Sequence, residues 1–327
     1  MGISVLIIGF LTAFILILCV FWFINQMIYK IYHARCLNSP VKPAPLARNF
    51  SIHNPYNIPG EFHKAQLHLH TSNSKDVVKK EPVSQTIMKY QRAGYQFAVI
   101  TDHDTVTDLP EFNDSGFLVI PGIEKTVPFP FWPFGKHLIK IGGENGMLMP
   151  AHVNWRGNLG AGSWYLNDLV ELGDFCLIEI NNHHSDTVTD IQLWHKILEI
   201  KGFQNPVWGV AVDDSDNGER LDGGWIMIKT GEVTAASFFN ALRLGGFYAT
   251  TGPAAEFETE GPIIKTTTAP ENLISFINCQ NQIISSQKGG MGIYQATGDE
   301  GFIRVEIQDS SGKTAWSQPF YVVPRNR

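Results

Sequence analysis

From Ile3 to Ile24 the chain carries no charged residue, and Ser4 and Thr12 are nearly its only polar ones. As a helix this run would be about 33 Å long, enough to cross the hydrocarbon core of a bilayer. Its apolarity continues all the way round, unlike the one-sided stripe of a core helix. It lacks the basic start and small-x-small cleavage site of a secretory signal, and bulky Leu18 ahead of Cys19 argues against a lipoprotein site. Residues 1–29 are therefore expected to form a retained single-pass anchor. Lys30, Arg35, Lys42 and Arg48 follow the span before the first acid, Glu61, and this bias places the following domain on the cytoplasmic side.

Beyond the anchor the pattern changes twice. Residues 30–60 hold Pro40, Pro43, Pro45, Pro55 and Pro59 among Asn and Ser, a composition read as a linker. From 61 to 254, short apolar runs alternate with helical patterns at 84–94, 191–200 and 234–244, which predicts a parallel α/β sheet. After Gly252-Pro253, strand-like runs separated by turn signals predict a small antiparallel β unit over 255–327. The aromatic-proline stretch Phe129–Phe134 reads equally as a lid or as loop packing.

Polar residues that bind metals recur along the chain, most of them where a short apolar run ends. They are His68 and His70, Asp102-His103-Asp104, Glu124, His137, His152, Glu179 and Asp213-Asp214-Ser215-Asp216. Residues gathered from so many strand ends favour a distorted (β/α) barrel, whose rim collects them at one site. In Leu67-His68-Leu69-His70 the alternation puts both imidazoles on one strand face, about 6–7 Å apart, suited to one metal.

Bulk properties narrow the class further. The chain has 327 residues, 44% hydrophobic and 17% charged, with a net charge of −6. No basic cluster stands out, so nucleic acid is not an expected partner. Cys19, Cys36, Cys176 and Cys279 lie far apart without C-x-x-C spacing and read as isolated thiols. Oligomeric state is not legible.

Several segments, in order, resemble the PHP (polymerase and histidinol phosphatase) superfamily. They are His68-Leu69-His70-Thr71-Ser72-Asn73-Ser74, Thr101-Asp102-His103, Glu124, Ala151-His152 and Asp214-Ser215-Asp216. Pro121-Gly122-Ile123-Glu124, His137, Trp208-Gly209 and Gly246–Pro253 look most like its carbaryl-hydrolase-like branch. The resemblance spans about residues 62 to 255 and implies a distorted seven-stranded barrel, (β/α)7, that hydrolyses phosphoesters with two or three divalent ions. Manganese, zinc or iron would serve, with magnesium possible. It implies that His68, His70, Glu124 and Asp214 hold a first metal. Glu124 would bridge to a second held by His137 and His152, and Asp76, His103 and Asp216 would hold a third. The nucleophile would be a hydroxide bridging the first two metals.

One residue departs from the family pattern, which ends its last motif in His where this chain has Asp216. Either Asp216 completes a harder, anionic third site, or that metal is absent and His103 protonates the leaving group. His103 and Asp216 are accordingly the candidate catalytic pair, and Arg156 and His183 candidate substrate contacts. Asp102 and Asp104 are expected to orient His103, and His195 to lie on a helix surface. The expected substrate is a small phosphoester. Carboxylic or carbamic ester hydrolysis and a non-catalytic anchored binding module stand as alternatives.

Overall fold

The computed structural model describes residues 2–37, 39, 41, 43–128 and 135–325. Pro40 and Lys42 of the expected linker, and the Phe129–Phe134 stretch, lie outside them. The first helix, α1, runs Gly2–Tyr32 and continues into one π-helical turn, His33–Leu37. Its apolar side chains stand in the open, with Phe10 71%, Leu16 64% and Phe23 64% exposed. It is long and apolar enough to cross a membrane, a test that a signal sequence also passes.

The body is built on a mixed sheet. Three strands carrying the first motifs, Glu61–His70, Phe97–Ile100 and Leu118–Pro128, run parallel and adjacent. The next two, Gly135–Ile141 and Met147–Pro150, are antiparallel, each paired with the strand before it. This departs from the expected parallel barrel. The link from Ile141 to Met147 is too short for a crossover helix and turns on Gly142 and Gly143, both at positive φ. On the other side of Glu61–His70, Trp225–Thr230 and then Phe247–Thr250 add antiparallel strands. Leu177–Asn181 and Trp208–Ala211 form a separate parallel pair beside Met147–Pro150 and Phe247–Thr250. Among the described residues no ladder joins that pair to the main sheet, so the expected closed seven-stranded barrel is not seen as a hydrogen-bonded ring.

Two further departures concern the ends of the domain. The presumed linker contains a strand, Phe50–His53, paired in register with Phe320–Pro324. The expected small C-terminal unit is continuous with the main sheet, because Thr314–Trp316 pairs with Phe247–Thr250. A lone three-stranded sheet, Glu256–Glu260, Ile263–Thr267 and Met291–Gln295, packs beside it.

Alternation along the Glu61–His70 strand sets the site. Leu67 and Leu69 are buried in apolar clusters, while His68 and His70 face the other way. Helix Thr187–Lys201 begins on Asp186, whose carboxylate accepts from Thr189 N, the cap expected of an Asp. That helix buries Trp194 and Leu193, and it buries His195 as well. His195 is thus not on a surface. The C-terminal strands cover it, and Arg304 donates to its Nε2.

Candidate metal centre

His68 is fully buried and held from behind. Its Nδ1 lies 2.7 Å from Glu179 Oε1, so the ring donates there and its Nε2 lone pair points into the cavity. Glu179 also accepts from the backbone N–H of His152 and from Asn182 Nδ2, at 2.5 and 2.8 Å. Its carboxylate therefore joins the Leu177–Asn181 strand to two of the ligand-bearing segments.

Around His68 Nε2 the other donors crowd in. His70 Nε2 is 3.1 Å away, Asp214 Oδ1 3.1 Å and Glu124 Oε2 3.2 Å. His70 Nε2 is 3.2 Å from both Asp214 Oδ1 and Glu124 Oε2. Metal bonds of about 2.1 Å at roughly 90–110° put neighbouring ligand atoms about 3.0–3.4 Å apart. The ligand atoms of His68, His70 and Asp214 all lie within 4.8 Å of one another and so suit one cation, with Glu124 Oε2 3.2 Å from both imidazoles.

Glu124 divides its oxygens. Oε2 faces His68, His70 and His103 (3.1 Å), whereas Oε1 faces His137 Nδ1 at 2.9 Å and His152 Nε2 at 3.2 Å. A carboxylate 1% exposed, with imidazoles on both oxygens, is suited to joining two cations. Beside it Asp76 Oδ2 lies 3.2 Å from His103 Nε2, and His70, Asp76 and His103 place three ligand atoms within 4.8 Å of one another. A further group combines His183, His184 and Asp214.

The electrostatics agree with a cation-binding field. Burial, the largest influence, pushes the His68 and His70 imidazoles down, but Asp214 and Glu124 outweigh it. His68 ends well above the usual range and His70 is pushed up to about 10. Burial likewise favours neutral Glu124 and Asp214, yet imidazoles led by His103 for Glu124 and His68 for Asp214 hold both well below the carboxylate range. A pocket that retains protons on buried imidazoles offers the same field to a divalent ion, and the two compete.

The loops that deliver these groups are tightly pinned. Thr71 donates to Asp102 through both its N–H (2.6 Å) and its hydroxyl (2.8 Å), and Ser74 Oγ accepts from His103 N while donating to Asp76 Oδ1. Asp102 thus fixes the turn after His70 rather than the His103 ring, and exposed Asp104 pairs with Lys75 at 3.4 Å. His152 and Asp214 both sit at positive φ, 26° and 46°. Such backbone costs about 1–3 kcal/mol and persists where surrounding structure imposes it.

The remaining sequence candidates divide. His183 lines the cavity, and its Nδ1 donates to Asp213 O (3.0 Å). Asp216 lines it too, on a short strand beside His70, yet among the described residues no group of ligand atoms within 4.8 Å includes it. Arg156 is absent from the lining; its guanidinium lies 3.4 Å from the Tyr29 ring centroid and donates to Gln26. Trp155, His184, Glu219 and Arg220 complete the cavity of about 370 Å³. Trp155 and Arg220 were not legible beforehand, because nothing in their spacing marks them. Of the residues behind the branch-level resemblance, Glu124 and His137 line the cavity, whereas Trp208-Gly209 and Gly246–Pro253 lie elsewhere. Both backbone groups of Gly209 bond the Gln318 side chain at 2.8 Å, and Phe247–Thr250 is an interior strand.

No family model matches the sequence, and no curated relative matches it. Among solved structures, the chain is similar to a two-domain protein from Bacteroides vulgatus containing a predicted PHP-like metal-dependent phosphoesterase. The two share 13% identity with a TM-score of 0.46, over 88% of this chain and 98% of that one.

Proposed function

We propose that this chain is a membrane-anchored, metal-dependent hydrolase of phosphoesters, with α1 as the anchor and the metal centre on the cytoplasmic side. The observation that carries the reading is the approach of Asp214 Oδ1 and Glu124 Oε2 to the Nε2 atoms of both His68 and His70 at 3.1–3.2 Å. His68, His70, Glu124 and Asp214 would hold one divalent ion, and Glu124, His137 and His152 a second. Bound there, such ions supply Lewis acidity and lower the pKa of a coordinated water.

The chain's own residues supply the rest. Glu179 keeps His68 in one tautomer, with Nε2 free for the site. His183, His184 and Arg220 also line the cavity, His183 and His184 beside Asp214, where a phosphoester's oxygens would find donors. His103, paired with Asp76, stands between the buried donors and the open cavity. There it holds a proton for the leaving oxygen, or with Asp76 it takes a third ion; metal stoichiometry of two or three decides which.

Elemental analysis of the purified full chain should find at least two divalent ions per molecule. A panel of phosphomonoester, phosphodiester and carboxylester substrates should show turnover of a phosphoester that His68→Ala abolishes. Metal-loaded protein that hydrolyses only carboxylesters would replace the phosphoester assignment. Bound metal without any turnover would leave a binding module.

A further inference from the structure

The metal cavity and the apolar helix are physically joined. His152, a partner of Glu124, opens a loop that runs to Tyr165, and the C-terminal turns of α1 grip that loop along one helix face. Asn25 Nδ2 donates to Leu159 O at 3.3 Å, Arg156 donates to Gln26 Oε1 at 2.6 Å, and Tyr29 OH donates to Asn154 Oδ1 at 2.5 Å. One turn on, Leu166 N donates to Tyr32 OH at 2.8 Å. Gly160, at φ +87°, lies so close to the helix that a Cβ there would be 3.0 Å from Asn25 Cβ.

Between the two gripped residues Asn154 and Arg156 stands Trp155, on the cavity wall. Its ring is 4.9 Å from that of His152 and 5.2 Å from that of His137. The indole covers Gly157 and Gly162, where any side chain would collide with it. The cavity wall is therefore one residue away from the helix contacts.

Where those contacts fall along α1 fixes their depth. The uncharged run Ile3–Ile24 is about the length of a 20-residue span, so the helix leaves the hydrocarbon near Asn25, its first strongly polar side chain after Thr12. On the face turned away from the loop, Ile24, Met27, Ile28 and Ile31 remain 44–50% exposed. Apolar surface thus continues alongside the loop rather than stopping short of it. Tyr29 stands at this level with Tyr32, whose ring meets that of Tyr165 edge-on at 4.7 Å, as aromatic residues do at the membrane–water boundary. A signal sequence destined for removal would not need Asn25, Gln26, Tyr29 and Tyr32 bonded into a ligand-bearing loop.

We propose that α1 holds the mouth of the metal cavity in the headgroup layer, and that its substrate is a phosphoester carried by a membrane lipid. This rests on the hydrolase reading above. Among the described residues the cavity, about 370 Å³, is lined by His, Asp, Glu, Arg and Trp155, which matches a headgroup, and no apolar channel for acyl chains opens from it. Those chains stay in the bilayer while the phosphoester enters. Confinement of enzyme and substrate to one surface raises their effective concentration without any added contact.

The test uses the full chain in phosphatidylcholine nanodiscs with Mn²⁺. Long-chain phosphatidate and phosphatidylglycerol in the same disc are compared with their water-soluble dibutanoyl counterparts, which carry identical headgroups. A nitroxide at Leu159→Cys, in a chain whose four native cysteines are replaced, reports depth by collision with oxygen against a nickel chelate. Expected is kcat/KM at least tenfold higher for a bilayer-borne ester, with the label at headgroup depth. Equal or faster hydrolysis of the soluble ester, or a label seen only by the aqueous chelate, overturns the lipid proposal and leaves the hydrolase intact. Metal-loaded protein that turns over neither ester form overturns both.

Discussion

His68 and Glu179 meet at 2.7 Å, and neither side chain is exposed to solvent. The contact leaves His68 Nε2 as the only nitrogen able to serve the metal centre, and the same carboxylate supports His152 and Asn182. Glu179→Gln would keep the shape but remove the charge that fixes the imidazole. Metal affinity, measured by competition with a chromogenic chelator, should fall about 10–100-fold. Unchanged affinity would show that Glu179 supports the backbone alone.

Glu124 offers one oxygen to each half of the site, so its loss should be felt by both. Glu124→Ala is expected to abolish turnover and reduce bound metal by more than one ion per chain. Asp216→His, at the exposed end of a two-residue strand, should leave the metal content of the inner site unchanged. Comparable losses from the two substitutions would count against a shared carboxylate.

Removing metal should also cost stability, since the clustered donors then face one another without a shared cation. Ligands that bind only the folded chain stabilise it by mass action. Chelation by EDTA should therefore lower Tm by several degrees, reversibly on adding Mn²⁺ or Zn²⁺. A Tm indifferent to chelation would show that the donors do not hold an ion in the folded protein.

A separate pH effect arises far from the cavity. Burial, and then the charge of Arg304, hold the His195 imidazole well below its usual range. Its folded pKa lies below the unfolded value of about 6.5, so the unfolded chain binds the extra proton. The stability from neutral His195 is therefore complete above pH 6.5 and declines as pH falls below it, by up to about 1.4 kcal/mol per unit. Protonation would also remove the lone pair that accepts from Arg304. His195→Gln should flatten this decline, read from urea midpoints at pH 7 and pH 5. Parallel declines in the two proteins would assign the acid sensitivity elsewhere.

Gln318 makes both backbone bonds of Gly209 at 2.8 Å, tying the C-terminal strands to the Trp208–Ala211 strand. Gln318→Ala would leave a buried N–H and a buried C=O unpaired, at about 1–3 kcal/mol for each group. Thermal unfolding should show the loss as a shift of several degrees. A shift within error would mean that water replaces the amide.

Residues with periodic or terminal placement were the most legible. His68 and His70 follow from simple alternation, Glu124, His152 and Asp214 from their positions after apolar runs, and His137 from its place at the start of one. What sequence did not show depended on distant chain. His195 sits in an ordinary helical pattern and is buried because the C-terminal strands, with Phe302 and Arg304 more than a hundred residues later, cover it. Arg156 reads as an anion contact until Tyr29 and Gln26 claim its guanidinium. The antiparallel turn through Gly142 and Gly143 was hidden by the surrounding alternation of apolar runs and helical patterns, which suits parallel strands.

The pairing of Phe50–His53 with Phe320–Pro324 has a practical corollary for anyone shortening this protein. Cutting at the apparent domain start near residue 61 strips a border strand and bares the peptide groups of its neighbour, an invitation to intermolecular stacking. Trimmed versions that begin ahead of Phe50 should stay dispersed at concentrations where those beginning at Glu61 precipitate.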